Sequence, residues 1–291
     1  MTGLLLRAFL ILLLLGPLST GRAETVLERI ARTGNFQAGT RADSRPFGFR
    51  TGSGELAGFA VDLLNEIRGR LEVEQKRPIA LQLTEVTPAN RLDLVAQHRI
   101  DIECGITTAT WAREQTVDFS IPFFENGTRV LAPRSQFRSL DDLAGHRVGV
   151  VRSSTTVDVV RQYLPSIELV DIGDMDEGFR LLTDGALDGL ANIGIVLRSR
   201  LETSALKSRL VLLPRTGALA WESIGCILPQ NDSSWRDLVN QVIADLLVGV
   251  TDYRGRWVDI YNRWFGPQGE LYYPLDREVA QRLASGSFWL R

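Results

Sequence analysis

The sequence predicts an α/β fold made of two lobes around a cleft. Three observations carry this. Short apolar strands alternate with amphipathic helices over residues 24–124, which implies a mostly parallel sheet covered by helices. A second alternation of the same kind runs over 139–228. In each, a strand ends in hydroxyl residues just before a helix, Thr107/Thr108 in one and Ser153 to Thr156 in the other. Strand carboxyl ends facing helix N-termini are where open α/β sheets bind ligands, and the N–H groups there favour an anion.

In the first unit, residues 24–34 read as a short helix stopped by Gly34, and Phe36–Arg41 as a strand leading to a loop. Residues 46–50 and 56–60 bracket a Gly/Ser turn at 51–54. Val61, Leu64, Ile67 and Leu71 recur at helical spacing. A strand at 79–86, a helix at 90–98 and a buried strand at 101–104 follow. Thr110 is placed as the N-cap of a helix from about Trp111, with Arg113 in its first turn. A cation there opposes the helix dipole, at a cost of about a few tenths of a kcal/mol. Either an anion shares the place or the guanidinium reaches into solvent.

In the second unit, a strand at 128–133 leaves the first, and Ser139–Gly145 is a one-turn helix. Strands at 147–151, 168–172, 187–193 and 210–213 alternate with helices at 157–163, 175–184 and 195–204. Residues 221–228 read as one strand, 232–265 as amphipathic helix, and the tail 274–291 as a surface helix.

Composition narrows the class. The chain has 291 residues, 44% of them hydrophobic, and a formal charge of −2. Residues 1–23 read as a secretory signal: Arg7, the apolar run Ala8–Leu15, and a small residue, Ala23, before Glu24. Removing them takes away Arg7 and Arg22 and no acid, so −2 becomes −4. No basic tract suits nucleic acid, and no later run is long enough to span a bilayer. Two cysteines in an exported chain point to one disulfide, Cys104 to Cys226, with two buried free thiols as the alternative. His98 and His146 are the only histidines and no Cys/His ligand spacing exists, so neither a metal nor a cofactor is expected. There is no Gly-x-Ser-x-Gly elbow, P-loop or dinucleotide fingerprint.

Five segments together resemble a known family: Asp101-Ile-Glu-Cys-Gly-Ile-Thr-Thr108, Arg113-Glu-Gln, Val117-Asp-Phe-Ser, the run Leu140 to Val150, and Ile224-Gly-Cys-Ile-Leu. They look like the periplasmic solute-binding proteins of polar amino-acid ABC transporters, over residues 25–266. Glu-Cys-Gly, Gly-Cys-x-Leu, Gly-Thr-Arg41 and Asn90-Arg91 are most similar to the glutamate/aspartate-binding branch. The resemblance implies a Venus-flytrap (type II) fold, with residues 24–130 plus 224–291 in lobe 1 and 131–223 in lobe 2. It implies that Arg113 and Thr108 hold a ligand α-carboxylate, that Arg41 and Arg91 hold a side-chain carboxylate, and that Thr155 and Thr156 contribute from lobe 2. It also implies the disulfide Cys104–Cys226, a monomer in the periplasm, a small anionic ligand and an ABC permease as partners.

Two positions depart from the pattern. Ile106 replaces a Ser or Thr, and Ile193 stands where an Asp would take the ligand's ammonium; Asn192 beside it compensates only in part. The expectation is therefore a dicarboxylate without a standard α-amino group, or weak binding of amino acids. A cyclohexadienyl or arogenate dehydratase-like enzyme on the same fold is the alternative, with Glu222 or Glu103 as its acid. A ligand-sensing module for a membrane receptor is a third reading.

Overall fold

The first sheet is nucleated by a strand that a capped helix introduces. In the computed structural model, which describes residues 24–286, α1 (Val26–Thr33) starts at a capping box: Thr25 Oγ1 accepts from Glu28 N, and Glu28 Oε2 accepts from Thr25 N. The expected signal segment 1–23 lies outside the described residues. β1 (Asn35–Thr40) follows, then a small antiparallel sheet of β2 (Asp43–Ser44), β3 (Gly48–Arg50) and β4 (Leu56–Ala57). Next come α2 (Phe59–Gln75), β5 (Ala80–Glu85), α3 (Arg91–Ala96), β6 (Ile102–Glu103) and β7 (Asp118–Phe119). β8 (Phe124–Pro133) carries the chain across to the second unit.

That unit contains β9 (Arg147–Val151), α4 (Thr156–Tyr163), β10 (Glu168–Ile172), α5 (Met175–Thr183), β11 (Gly189–Ile193), α6 (Gly194–Thr203) and β12 (Leu210–Leu213). β13 (Trp221–Ile224) brings the chain back alongside β8, antiparallel to it. β14 (Ile227–Leu228), α7 (Ser233–Leu246), α8 (Arg256–Phe265) and α9 (Arg277–Gly286) complete the first unit. The two main sheets have the orders β5-β1-β6-β14-β7 and β10-β9-β11-β8-β12. β1 is parallel to β5 and β6, and β9 is parallel to β10 and β11, so both sheets present parallel strand ends toward each other's unit.

Three expected elements come out differently. The helix expected from Trp111 is only a 3₁₀ turn, Arg113–Gln115. Thr110 Oγ1 does accept from Arg113 N, at 3.3 Å, but the chain must enter β7 at Asp118, which leaves no room for a second turn. The strand expected over 221–228 breaks at Gly225, whose neighbour Cys226 turns away to exchange hydrogen bonds with Ser120: Ser120 N donates to Cys226 O at 2.9 Å and Cys226 N donates to Ser120 Oγ at 2.8 Å. The helix expected over 232–265 is two helices. Gly249 and Gly255 between them hold φ values of +84° and +98°, and a Cβ on Gly255 would lie 2.2 Å from Val248 O.

Cys104 and Cys226 form a disulfide, with Cα atoms 4.4 Å apart, so the free-thiol alternative falls. It ties the loop after β6 to the start of β14, both fully buried. An aromatic cluster anchors the crossing strand. Phe124, the first residue of β8, packs its ring 4.7 Å from Phe47, 5.5 Å from Phe59, 6.0 Å from Tyr261 and 5.7 Å from Phe265. The Trp257 indole nitrogen donates to Phe123 O at 2.9 Å. Phe124→Ala should cost about 3–5 kcal/mol of unfolding free energy, as for other large aromatic truncations in a closed core. Urea denaturation followed by tryptophan fluorescence measures it, and a loss below about 1 kcal/mol would mean the cluster can collapse around the gap.

Candidate functional site in the cleft

Strand ends deliver the polar residues of the cleft from both sides. Arg41 directly follows β1, Thr108 lies after the neighbouring β6, and Arg91 is the first residue of α3. From the second unit, Ser154, Thr155 and Thr156 follow β9 at the start of α4, and Asn192 and Ile193 end β11. All seven residues singled out in the sequence, Arg41, Arg91, Thr108, Arg113, Thr155, Thr156 and Asn192, line one cavity. Ile106, Val151, Ser154, Ile193 and Glu222 complete its wall. Its volume is about 20 Å³, room for roughly one water molecule, so a solute the size of an amino acid enters only when the two units part. A larger cavity of about 620 Å³ lies toward the outside of the same cleft, between Asp43, Arg50 and Glu85 on one side and Asp174, Asp176 and Arg200 on the other.

The inner cavity concentrates positive charge under poor solvation. Arg91 is 2% exposed, and its Nε and Nη1 have no hydrogen-bond partner among the described residues. Burial is the main reason its pKa falls to about 9; Glu103 pulls it up, and Arg41 and Arg113 push it further down. Glu103 is itself fully buried, and burial raises its pKa against the pull of Arg91 and a 2.9 Å hydrogen bond from Thr107 Oγ1. Arg41 is already committed: Nε donates to Asp43 Oδ1 at 2.7 Å and Nη2 to Oδ2 at 2.5 Å. Burial works against the Asp43 charge, but Arg41 outweighs it and the carboxyl ends below its ordinary range.

Arg113 spans the cleft. Its Nη1 donates to Thr108 O at 2.7 Å, and its Nη2 to Ser153 O of the second unit at 3.1 Å. Burial lowers its pKa, opposed by Glu222 and Glu103. The half-buried guanidinium is thus held by two backbone carbonyls at a 3₁₀ turn rather than in the first turn of an α-helix. Asn192 is turned to structure: its Oδ1 accepts from Ile193 N at 2.8 Å and its Nδ2 lies 3.0 Å from Met175 Sδ.

Glu222, one of the two acids named for the dehydratase alternative, stands in the cavity wall and is 4% exposed. Its Oε2 accepts from Thr155 Oγ1 at 2.5 Å and from Thr108 Oγ1; its Oε1 accepts from Thr128 Oγ1. The signal was available. Glu222 shares strand parity with Ile224, so it occupies a core-facing position, where an unpaired carboxylate is rare. Among the described residues no group of three or more His, Cys, Asp or Glu side chains could hold a metal ion, and no helix is long and apolar enough to cross a membrane.

Known proteins match this arrangement over most of the chain. Residues 36–267 fit the model of the bacterial extracellular solute-binding proteins, family 3. An L-glutamate/L-aspartate-binding protein of Pseudomonas aeruginosa is 27% identical over 97% of this chain and 95% of its own length. A glutamine-binding protein of an ABC transporter, GlnH of Bacillus subtilis, is also 27% identical, over 86% of this chain and 88% of its own length. Among solved structures, an ancestral arginine-binding protein bound to glutamine superposes with a TM-score of 0.70 at 24% identity, over 80% of this chain and 98% of its own, which speaks for the fold. The chain is a member of the extracellular solute-binding proteins of family 3, with the two-lobed α/β fold of that family.

Proposed function

We propose that this protein captures a small anionic solute, an acidic amino acid or a related dicarboxylate, in its interlobe cleft and presents it to an ABC permease in the inner membrane. The observation that supports this most is Arg91: a guanidinium almost out of solvent, with two unpartnered nitrogens, in the wall of a cavity that Arg41, Arg113 and five hydroxyl or amide side chains also line. Unpartnered buried donors cost about 1–3 kcal/mol each, a cost that a bound carboxylate would offset. β8 and β13, the two strands that cross between the units, serve as the hinge. Family membership and the signal-like segment 1–23 favour a periplasmic location. Relatives with glutamate/aspartate, glutamine and cystine in their names share the family, so resemblance alone does not choose the ligand.

Glu222 lends one observation to the dehydratase alternative, because it puts a carboxyl group in the cavity. The matched relatives carry the names of binding proteins, however, and Glu222 already accepts from hydroxyls of the chain itself, those of Thr108, Thr128 and Thr155. Binding is therefore the better reading, and absence of turnover of prephenate and arogenate is the expected result of a direct assay.

Calorimetry on ligand-stripped protein with glutamate, aspartate, succinate and α-ketoglutarate tests the proposal, and micromolar or tighter binding of at least one is expected. Mass spectrometry of what co-purifies with the native protein gives an independent identification. Arg91→Met should weaken that binding by about thirtyfold or more, a loss of about 2 kcal/mol or more. It should leave unfolding free energy unchanged or higher by up to about 2 kcal/mol, because it removes unpartnered buried donors. Lower stability in urea titrations would make Arg91 structural instead.

Binding also carries a pH signature. The Arg91 pKa is about 9 in the closed cleft, and a neighbouring carboxylate favours the charged form and raises it. Binding just above pH 9 should then take up protons, and affinity should fall as pH rises through that value. Calorimetry in two buffers of different ionisation heat reads the uptake directly. A flat affinity from pH 7 to 10 would mean that Arg91 stays charged throughout that range.

A further inference from the structure

We infer that Glu222 is the acceptor for a ligand ammonium group, which makes the solute an α-amino dicarboxylic acid rather than a plain dicarboxylate. This rests on the anionic-solute reading above and narrows it. The reasoning starts from the charge inventory of the inner cavity. Arg41, Arg91 and Arg113 line it, and Glu222 is the only carboxylate among the described residues that does. Arg41 is paired with Asp43, so Arg91 and Arg113 remain to face carboxylates and Glu222 to face a cation, an inventory complementary to a molecule that carries both.

The position of Glu222 answers the gap at residue 193. On the second sheet, Ile193 lies directly across from Thr128 of β8. The Thr128 hydroxyl donates to Glu222 Oε1, so the carboxylate stands one hydroxyl away from the end of β11. β13 lies on β8 as well, with Glu222 opposite Asn126, and its side chain reaches the same corner of the cavity from another strand. The carboxylate that the end of β11 lacks is in this reading supplied by β13, which favours an amino-bearing ligand over the plain dicarboxylate expected from Ile106 and Ile193.

The hydrogen bonds around Glu222 suit a cation that comes and goes. Its three donors are neutral hydroxyls, which hold the carboxylate in place without cancelling its charge. Thr108 and Thr128 approach from the first unit and the crossing strand, and they fix the rotamer. Thr155 comes from the second unit, so parting of the units removes its hydrogen bond and leaves a lone pair of Oε2 facing the open cleft. A hydroxyl can accept as well as donate, so Thr108 and Thr155 can turn to receive ammonium protons when the cleft closes on the solute.

Matched pairs on the ligand-stripped full chain test this without any variant: glutamate against glutarate, and aspartate against succinate, by calorimetry. The amino-bearing member should bind at least about thirtyfold more tightly in one pair. Glu222→Gln keeps the shape and the Thr128 contact but removes the charge. It should weaken the amino acid about thirtyfold or more and leave the dicarboxylate unchanged or tighter, with thermal unfolding as the check on its fold. Equal affinity within both pairs, or an unchanged ratio in a folded Glu222→Gln protein, overturns the inference and leaves the anionic-solute reading standing. Binding of none of the four solutes would overturn that reading and the inference together.

Discussion

The structure is arranged around the cost of holding guanidinium groups away from water. An isolated buried charge is not tolerated; it is neutralised by titration or by a partner. Here the answers differ by residue. Arg41 has a bidentate carboxylate, Arg113 has two carbonyls on opposite sides of the cleft, and Arg91 has Glu103 nearby but two nitrogens unpartnered among the described residues. The fall of the Arg91 pKa to about 9, with burial as its first cause, expresses the same strain. A protein that keeps such a group is retaining something other than stability.

What holds the strain in place lies behind the cleft. The loop after β6 carries Thr107 and Thr108 and is pinned by Cys104–Cys226 to the start of β14. Gly225 N donates to Thr107 O at 3.2 Å, and Thr108 bridges to Ile224, so the same loop is also tied to the end of β13, the strand that presents Glu222. Phe124 at the start of β8 sits in the aromatic cluster of α2 and α8. Both crossing strands are therefore tied to the first unit near the end that meets it. The hinge proposed for them would need only side-chain hydrogen bonds across the cleft, such as Thr155 to Glu222, to break, which disturbs neither core.

The sequence revealed the fold through periodicity, and it failed where glycine and tertiary context overruled periodicity. Both α/β alternations are present with most boundaries shifted by a residue or two, although β8 starts at Phe124, four residues before the expected 128, and α2 runs on to Gln75. The break between α7 and α8 depends on Gly249 and Gly255 at positive φ, and each glycine alone reads as a tolerable helix interruption. The short turn at Arg113 depends on β7 starting at Asp118, which local propensity does not encode. The seven site residues named from the resemblance do meet in one cavity, yet their hydrogen bonds were not legible. That Arg41 is engaged by Asp43, two residues along, depends on how the chain folds back at β2. That Glu222 faces the cavity depends on a register with β8 set 94 residues earlier in the chain.

The correction at Arg113 changes what the cleft uses to hold an anion. A helix beginning at Trp111 would have offered several free N–H groups and a dipole, a fixed field that no ligand can move. A single 3₁₀ turn offers almost none of this, so the positive field on the first unit's side comes from side chains. Side chains differ from a dipole in one respect that matters for a protein that must both take up and release its cargo. Arg113 bonds to a carbonyl on each unit, and parting the units breaks its contact with Ser153 O while keeping the one with Thr108 O. The same motion takes Thr155 from Glu222. Parting of the units would thus free donors and acceptors of both signs together, and closing would re-engage them around whatever lies between. The proposed capture and release would then be coupled to closure through the same few bonds.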